Sequence, residues 1–325
     1  MNDQTKRTVF FYGLLATTAT PLLVLPCLSV IHFPFNQSLL LGLAIFAGGV
    51  GHVGSTACVY ADAAIRSVMQ PMKLRFYVLP ISCLLVTGIA LIWGASFHLS
   101  KIIVATLFVI HLFWLHYHYQ KQNYGLIAFI AASTGHRIPR SLSNLLLLPA
   151  LAGVLAIIPT LVGAAMEDEN LLSPYRSALF AGAVGAYLIG LVLVGITVAT
   201  HRESFAHART MIFTALTFSF FLPAIILSDS EYAFWSYALA HGFQYLLMVF
   251  TVAGGTKPSL SGIIAFITSV TVGGYFLHKL AGNQALFICG IFLTWVHFVL
   301  DAKLWRMSEP GARKLLRERF HFLFP

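Results

Sequence analysis

Long apolar runs broken by short polar intervals dominate this chain. Residues 8–33, 141–166, 177–200, 210–228 and 232–256 contain no Asp, Glu, Lys or Arg. Each is as long as a bilayer crossing, which takes roughly 17 to 25 residues as a helix. A membrane barrel needs short alternating segments, whereas these runs are continuously apolar, so helices that satisfy their own backbone are the expected spanning element. The full pattern predicts an all-α, polytopic transmembrane helical bundle of about ten spans, at about 9–31, 38–60, 76–97, 102–120, 142–165, 177–199, 210–228, 232–255, 259–279 and 284–304. Pro21 and Pro26 fall inside the first of these and are expected to kink it.

Composition strengthens this reading. Of 325 residues, 58% are hydrophobic and 10% are charged, whereas a soluble surface alone carries about 25–35% charged residues. Threading the ten spans puts every basic residue except Lys101, Arg176 and Lys279 on one side, together with both ends of the chain. That is the positive-inside pattern, so both termini are expected in the cytoplasm and the protein in an inner or plasma membrane. Lys6 and Arg7 followed by an apolar run imitate a signal peptide, but the run is long enough to be a retained first span. The net charge of +9 then belongs to a rim facing anionic lipid, and no nucleic-acid recognition pattern accompanies it. Residues 1–325 read as a single integral membrane domain that ends in a short basic amphipathic cytoplasmic tail, 307–325. Oligomeric state is not legible. Cys27, Cys58, Cys83 and Cys289 lack CxxC spacing and read as packing residues.

The histidines change the picture. Seven of the 13 map to loops or span ends, whereas His52, His111, His116, His118, His241 and His297 fall within the second, fourth, eighth and tenth spans. Those spans all run in the same direction, which puts the six at comparable depths, about 5–25 Å from the inner edge at 1.5 Å per residue. Ionisable groups in hydrocarbon are costly and normally face a bundle interior or a site. On the fourth span His111, His118 and Gln122 align at helical spacing, and His116, Gln120 and Asn123 form a neighbouring stripe. On the last, His297 and Asp301 stack at i,i+4. Two ligands to one centre, or a carboxylate orienting an imidazole, both fit that spacing. His241 is followed one turn later by Gln244 and Tyr245. Gly48, Gly49, Gly51 and Gly54 surround His52 and let another helix approach closely.

Neutral imidazoles with a carboxylate in a nonaqueous interior point to a transition-metal site. Nonhaem iron, one or two ions with positions open to dioxygen, suits the N and O donors, and copper or zinc fits the same residue types. The candidate ligands are His52, His111, His116, His118, His241, His297 and Asp301. Asp301, Gln122 and Asn123 are the candidate catalytic groups, the two amides placing substrate or water. Trp114, Tyr117, Tyr119, Phe243, Tyr245 and Trp305 line a hydrophobic pocket or pack helices. The function read from these residues is a membrane-embedded, oxygen-dependent oxidoreductase acting on a hydrophobic lipid or isoprenoid, with the bilayer, a lipid-soluble substrate and an electron donor as partners. A haem-binding electron-transfer protein and a proton-coupled transporter are the alternatives.

The order of these motifs resembles the Brp/Blh family of membrane β-carotene 15,15'-dioxygenases. The matching positions are Gly51 and His52 with Asp62 downstream, His116 within His116-Tyr117-His118-Tyr119, His241, and His297-Phe298-Val299-Leu300-Asp301 followed by Trp305 and Arg306. The resemblance implies an iron-dependent, oxygen-using enzyme acting on a lipid-soluble polyene. It implies His52, His116, His241 and His297 as iron ligands and Asp301 as the carboxylate of the final element.

Overall fold

The computed structural model describes residues 2–31, 45–60, 62–93, 101–168, 170–253 and 294–324, whose regular structure is helical throughout. In chain order the helices are α1 (Asp3–Val30), α2 (Gly51–Val59), α3 (Ala63–Met69), α4 (Leu79–Trp93), α5 (Lys101–Ser133), α6 (Leu147–Met166), α7 (Arg176–Thr200), α8 (Ala208–Phe218), α9 (Leu222–Ile226), α10 (Glu231–Ala253), α11 (residues 294–304) and α12 (Pro310–Arg319). Single π-helical segments, Ile45–Val50 and Leu74–Val78, lead towards α2 and α4.

The expectation of about ten spans needs correction. Among the described residues four helical stretches are long and apolar enough to cross a membrane: Asp3–Val30, Leu142–Met166, Ser173–Thr200 and Ala208–Ile226. These coincide with the expected spans at 9–31, 142–165, 177–199 and 210–228. The expected 102–120 lies within α5 and residues 232–253 of the expected 232–255 lie within α10, helices of 33 and 23 residues, with 254 and 255 outside the described residues. Both helices are long enough to cross a bilayer, and neither is among the four stretches. Residues 76–93 of the expected 76–97 are divided between a π-helical turn and α4, with Leu74–Val86 a shorter apolar stretch, and 94–97 lie outside the described residues. The span at 259–279 lies outside the described residues, as do 38–44 and 284–293 of the second and tenth spans.

Two compact units divide the chain, one formed by Met1–Asn36, Ser100–His241 and Phe322–Pro325, the other by Gln37–Leu99 and Gly242–His321. In the first, α6 is the central helix. It packs against α5, α7 and α9, and 67% of its most apolar window is buried, against 17% for the stretch containing α7. Leu188, Ile189, Val192 and Ile196 on α7 are each more than half exposed, as are Val9 and Leu23 on α1. Contiguous apolar faces of this kind are unfavourable in water and stable against lipid, so these helices are membrane-associating segments. Pro21 and Pro26 both lie inside α1, which continues through them to Val30. Gly153 on α6 admits Phe221, because a Cβ there would lie 2.7 Å from the Phe221 Cβ. The Phe221 ring in turn stacks on His116, with centroids 5.1 Å apart.

In the second unit Asp62 ties together two elements distant in sequence. Its Oδ1 accepts hydrogen bonds from the amides of Ala64 and Ile65 at 2.7 and 3.3 Å, capping α3. Its Oδ2 accepts from Arg319 Nη2 at 2.8 Å, fixing the end of α12. Both partners are largely buried, with side-chain exposures of 8% and 14%, so the pair is little screened by solvent. Asp62→Ala removes the cap and leaves Arg319 without its carboxylate. We expect a loss of about 1–3 kcal/mol, combining a cap with part of a buried pair, seen as a lower Tm and faster proteolysis beyond Met307. Nearby, Arg75 Nε donates to the Val299 carbonyl at 3.0 Å and so steadies α11 two residues before Asp301.

Candidate metal centre

In the second unit the site is built from α2, α11 and the later part of α10. The π-helical segment ends at Val50, directly before α2, and widened helix of this kind frees backbone carbonyls from their usual partners. The carbonyl of Gly48 is hydrogen-bonded to His52 Nδ1. A carbonyl oxygen can only accept, so Nδ1 carries the proton and Nε2 presents a lone pair, the form of imidazole that ligates a metal. A Cβ at Gly242 on α10 would fall on that same Gly48 carbonyl. Gly242 therefore allows α10 to approach the backbone at Gly48 closely.

His297 is fully buried. Its Nδ1 lies 2.9 Å from Thr56 Oγ1 and its Nε2 lies 3.3 Å from Asp301 Oδ2. The Thr56 hydroxyl can donate or accept. It can therefore support the tautomer protonated at Nε2, which faces Asp301, and equally the one protonated at Nδ1, which leaves Nε2 free to ligate. Asp301 Oδ1 accepts from Tyr245 Oη at 3.0 Å and Trp305 Nε1 at 3.1 Å. Two donors on one oxygen hold the carboxylate plane while Oδ2 faces the imidazole. The His52 and His297 rings stand 5.0 Å apart and nearly perpendicular, with ligating nitrogens within 4.8 Å of one another. Tyr245 lies edge-on to His297 at 4.6 Å. The two imidazoles and the carboxylate, each 9% exposed or less, are donor types suited to a transition metal, with Asp301 joined to the imidazole pair through its contact with His297. The grouping is a candidate metal-binding site.

The remaining expected ligands belong to the first unit. His116 Nδ1 donates to the Leu112 carbonyl at 2.8 Å, so its Nε2 accepts from Tyr237 Oη at 3.0 Å. Both nitrogens are thereby engaged inside a cage of Phe221, Tyr237 and Tyr119. Tyr237→Phe would leave that Nε2 without its donor in a dry interior. The expected cost is about 1–3 kcal/mol, measured as a Tm decrease with metal content unchanged. The neighbouring polar stripe runs on from here, with Gln120 Nε2 on the Thr217 carbonyl and Asn123 Nδ2 on Gln120 Oε1, both at 3.4 Å. On the other stripe, the His118 ring lies 5.0 Å from that of His241, and Gln122 Nε2 donates to the His241 carbonyl at 3.3 Å. Tyr119 covers His241, with ring centroids 4.1 Å apart. His111, earlier on α5, is buried. Of the aromatics expected at a pocket, Trp114 and Tyr117 are 53% and 43% exposed, whereas Tyr119 and Tyr245 are buried.

Sequence reasoning did not single out Thr56 or Tyr237, and it named Tyr245 and Trp305 without assigning either a bond to Asp301. A usable signal was present: Thr56, Tyr245 and Trp305 each lie four residues beyond a flagged residue, His52, His241 and Asp301. On a helix that spacing makes neighbours.

No family model, curated protein or solved structure matches this chain. The resemblance to the Brp/Blh family is therefore withdrawn. Nothing in the comparisons carries it, and the described residues are helical without a strand, which is inconsistent with a β-propeller carotenoid dioxygenase. Asp62, matched to that pattern, is instead a helix cap and the ion-pair partner of Arg319.

Proposed function

We propose that this protein is a membrane oxidoreductase in which His52, His297 and Asp301 hold a nonhaem transition metal, with iron as the favoured ion. The observation that carries the reading is the fixed tautomer of His52: with Nδ1 donating to Gly48, its Nε2 keeps a lone pair in a ring 5.0 Å from that of His297, which in turn contacts Asp301. Such a metal, when bound, supplies one-electron chemistry and a site for dioxygen. The rest falls to the chain's own residues. Tyr245 and Trp305 hold Asp301, Thr56 holds the His297 ring through Nδ1, and the apolar surroundings exclude water.

His118 and His241 of the first unit, with rings 5.0 Å apart, are proposed as a second nitrogen-donor position, in keeping with one or two ions. Gln122 and Asn123 are bonded to protein partners and are assigned a positioning role. The substrate class is a hydrophobic lipid or isoprenoid reached from the bilayer, and an external electron donor is required wherever the reaction consumes more electrons than the substrate yields. The multi-pass chain is placed in an inner or plasma membrane with both ends cytoplasmic. Oxygen uptake by iron-loaded protein in nanodiscs, started by adding a membrane isoprenoid extract, tests the oxidoreductase. Uptake that is the same with metal-free protein contradicts it.

One feature favours a second reading. Thr56, His297, Asp301 and Tyr245 form a continuous chain of polar contacts able to pass a proton. Metal-free protein that acidifies proteoliposomes in response to a solute gradient would replace the enzyme with a proton-coupled transporter.

A further inference from the structure

The C-terminal helix does not lie free as the amphipathic pattern of the tail suggests. Ala312, Leu315 and Leu316 are buried, and α12 packs against α3, where a Cβ on Gly311 would meet the Val68 side chain at 3.4 Å. Arg319 is held by Asp62. The apolar face is thus already covered by the protein itself, and the cationic face is what remains outward.

Arg313, Lys314 and Arg317 are exposed. With Pro310, Glu318 and His321 they line an open groove of about 580 Å³. Nearby acids do not cancel this charge. Glu309 is paired with Lys303, an interaction that holds its carboxyl below the usual range, and Asp62 is paired with Arg319. Glu318 is the one acid lining the groove. Among the described residues, no ion pair is made by Arg313, Lys314 or Arg317.

We infer that this groove binds the phosphate of an anionic phospholipid headgroup, of the phosphatidylglycerol type. Two guanidinium forks and an ammonium around one opening match a phosphate diester. The lipid source is favoured over free phosphate by position in the chain. The groove begins six residues after α11 ends, and Trp305 and Arg306 between them are the residue types that mark a membrane interface. Exposed Ile81, Leu85 and Ile89 on α4 show that the same unit presents an apolar face for acyl chains. The inference rests on the membrane reading and is independent of the metal.

The test uses full-length protein in nanodiscs of phosphatidylcholine with and without phosphatidylglycerol, counting retained lipid by native mass spectrometry. Wild-type protein is expected to retain an anionic lipid that R313A/R317A retains about thirty-fold more weakly, at about 1 kcal/mol per basic residue. R313K/R317K is expected to recover most of the binding, and R202A, elsewhere in the chain, to leave it unchanged. Metal content should be the same in all four proteins, so failure here does not touch the metal centre. Equal retention by R313A/R317A overturns the inference. Equal affinity for inorganic phosphate, or preference for a single-stranded oligonucleotide over phosphatidylglycerol, overturns the lipid assignment.

Discussion

His297→Ala should abolish stoichiometric metal binding while leaving the fold in place. His297 is central to the second unit's polar cluster: it contacts Thr56 and Asp301 through its two nitrogens and faces His52 and Tyr245 through its ring. Removal of one of three donors is expected to weaken metal affinity by at least about 100-fold, the upper end of what outer-sphere changes alone produce. Asp301→Asn separates the two roles open to the carboxylate. The amide oxygen can still accept from Tyr245 and Trp305, so packing is preserved. If Asp301 only orients His297, affinity falls about 10- to 100-fold, and a larger fall makes it a ligand. Tyr245→Phe is the companion control. It loosens Asp301 without removing a donor atom, so its effect should be the smallest of the three. Isothermal titration of the metal-stripped protein in detergent reads all of them. Unchanged affinity in both His297→Ala and Asp301→Asn would place the metal elsewhere.

A change that touches no ligand should be nearly as damaging. Gly242→Ala puts a Cβ onto the Gly48 carbonyl, the group that fixes the His52 tautomer. Backbone cannot yield as a flexible side chain would, so α10 and the π-helical turn must separate. Overpacking of this kind costs about 1–3 kcal/mol, and the loosened Gly48 no longer holds Nδ1. A lower Tm together with a roughly ten-fold or greater loss of metal affinity is expected, the latter in the range for second-sphere disruption. Gly125→Ala on α5, where an added Cβ meets nothing within 4 Å, serves as control and should be neutral or slightly stabilising. If Gly242→Ala lowers Tm but leaves metal affinity unchanged, the orienting role of Gly48 is wrong.

The helical class was legible because a lipid-length run without charge has few other uses, as the stretches ending at Val30, Met166 and Thr200 illustrate. The span count was not. Counting by charge asymmetry gave about ten, whereas four helical stretches among the described residues are long and apolar enough to cross, because loop charge reports the side on which a loop lies and not the length of the helices it joins. The histidines were legible as a set because their periodicity and helix membership coincide. Their partition was not, because it depends on helix rotation and on single hydrogen-bond partners. His116 and His297 look alike in sequence, each one turn from a polar residue. Only the structure shows His116 bonded at both nitrogens to Leu112 and Tyr237, while His297 faces a carboxylate. Asp62 shows the opposite error: a motif gave it a place in the chemistry, and its atoms are occupied by a cap and an arginine. The tail follows the same logic. Its amphipathic pattern was visible, but whether protein or lipid covers the apolar face depends on tertiary packing that periodicity does not encode.

The most direct measurement is the metal content per chain of detergent-purified, full-length wild-type protein beside His52→Ala and His297→Ala, with an ultraviolet-visible spectrum of each. A nonhaem centre at His52, His297 and Asp301 predicts one to two iron atoms per wild-type chain, no Soret band, and loss of at least one atom in each variant. Active protein without bound metal, a reducible Soret band, or equal metal in all three proteins would contradict it.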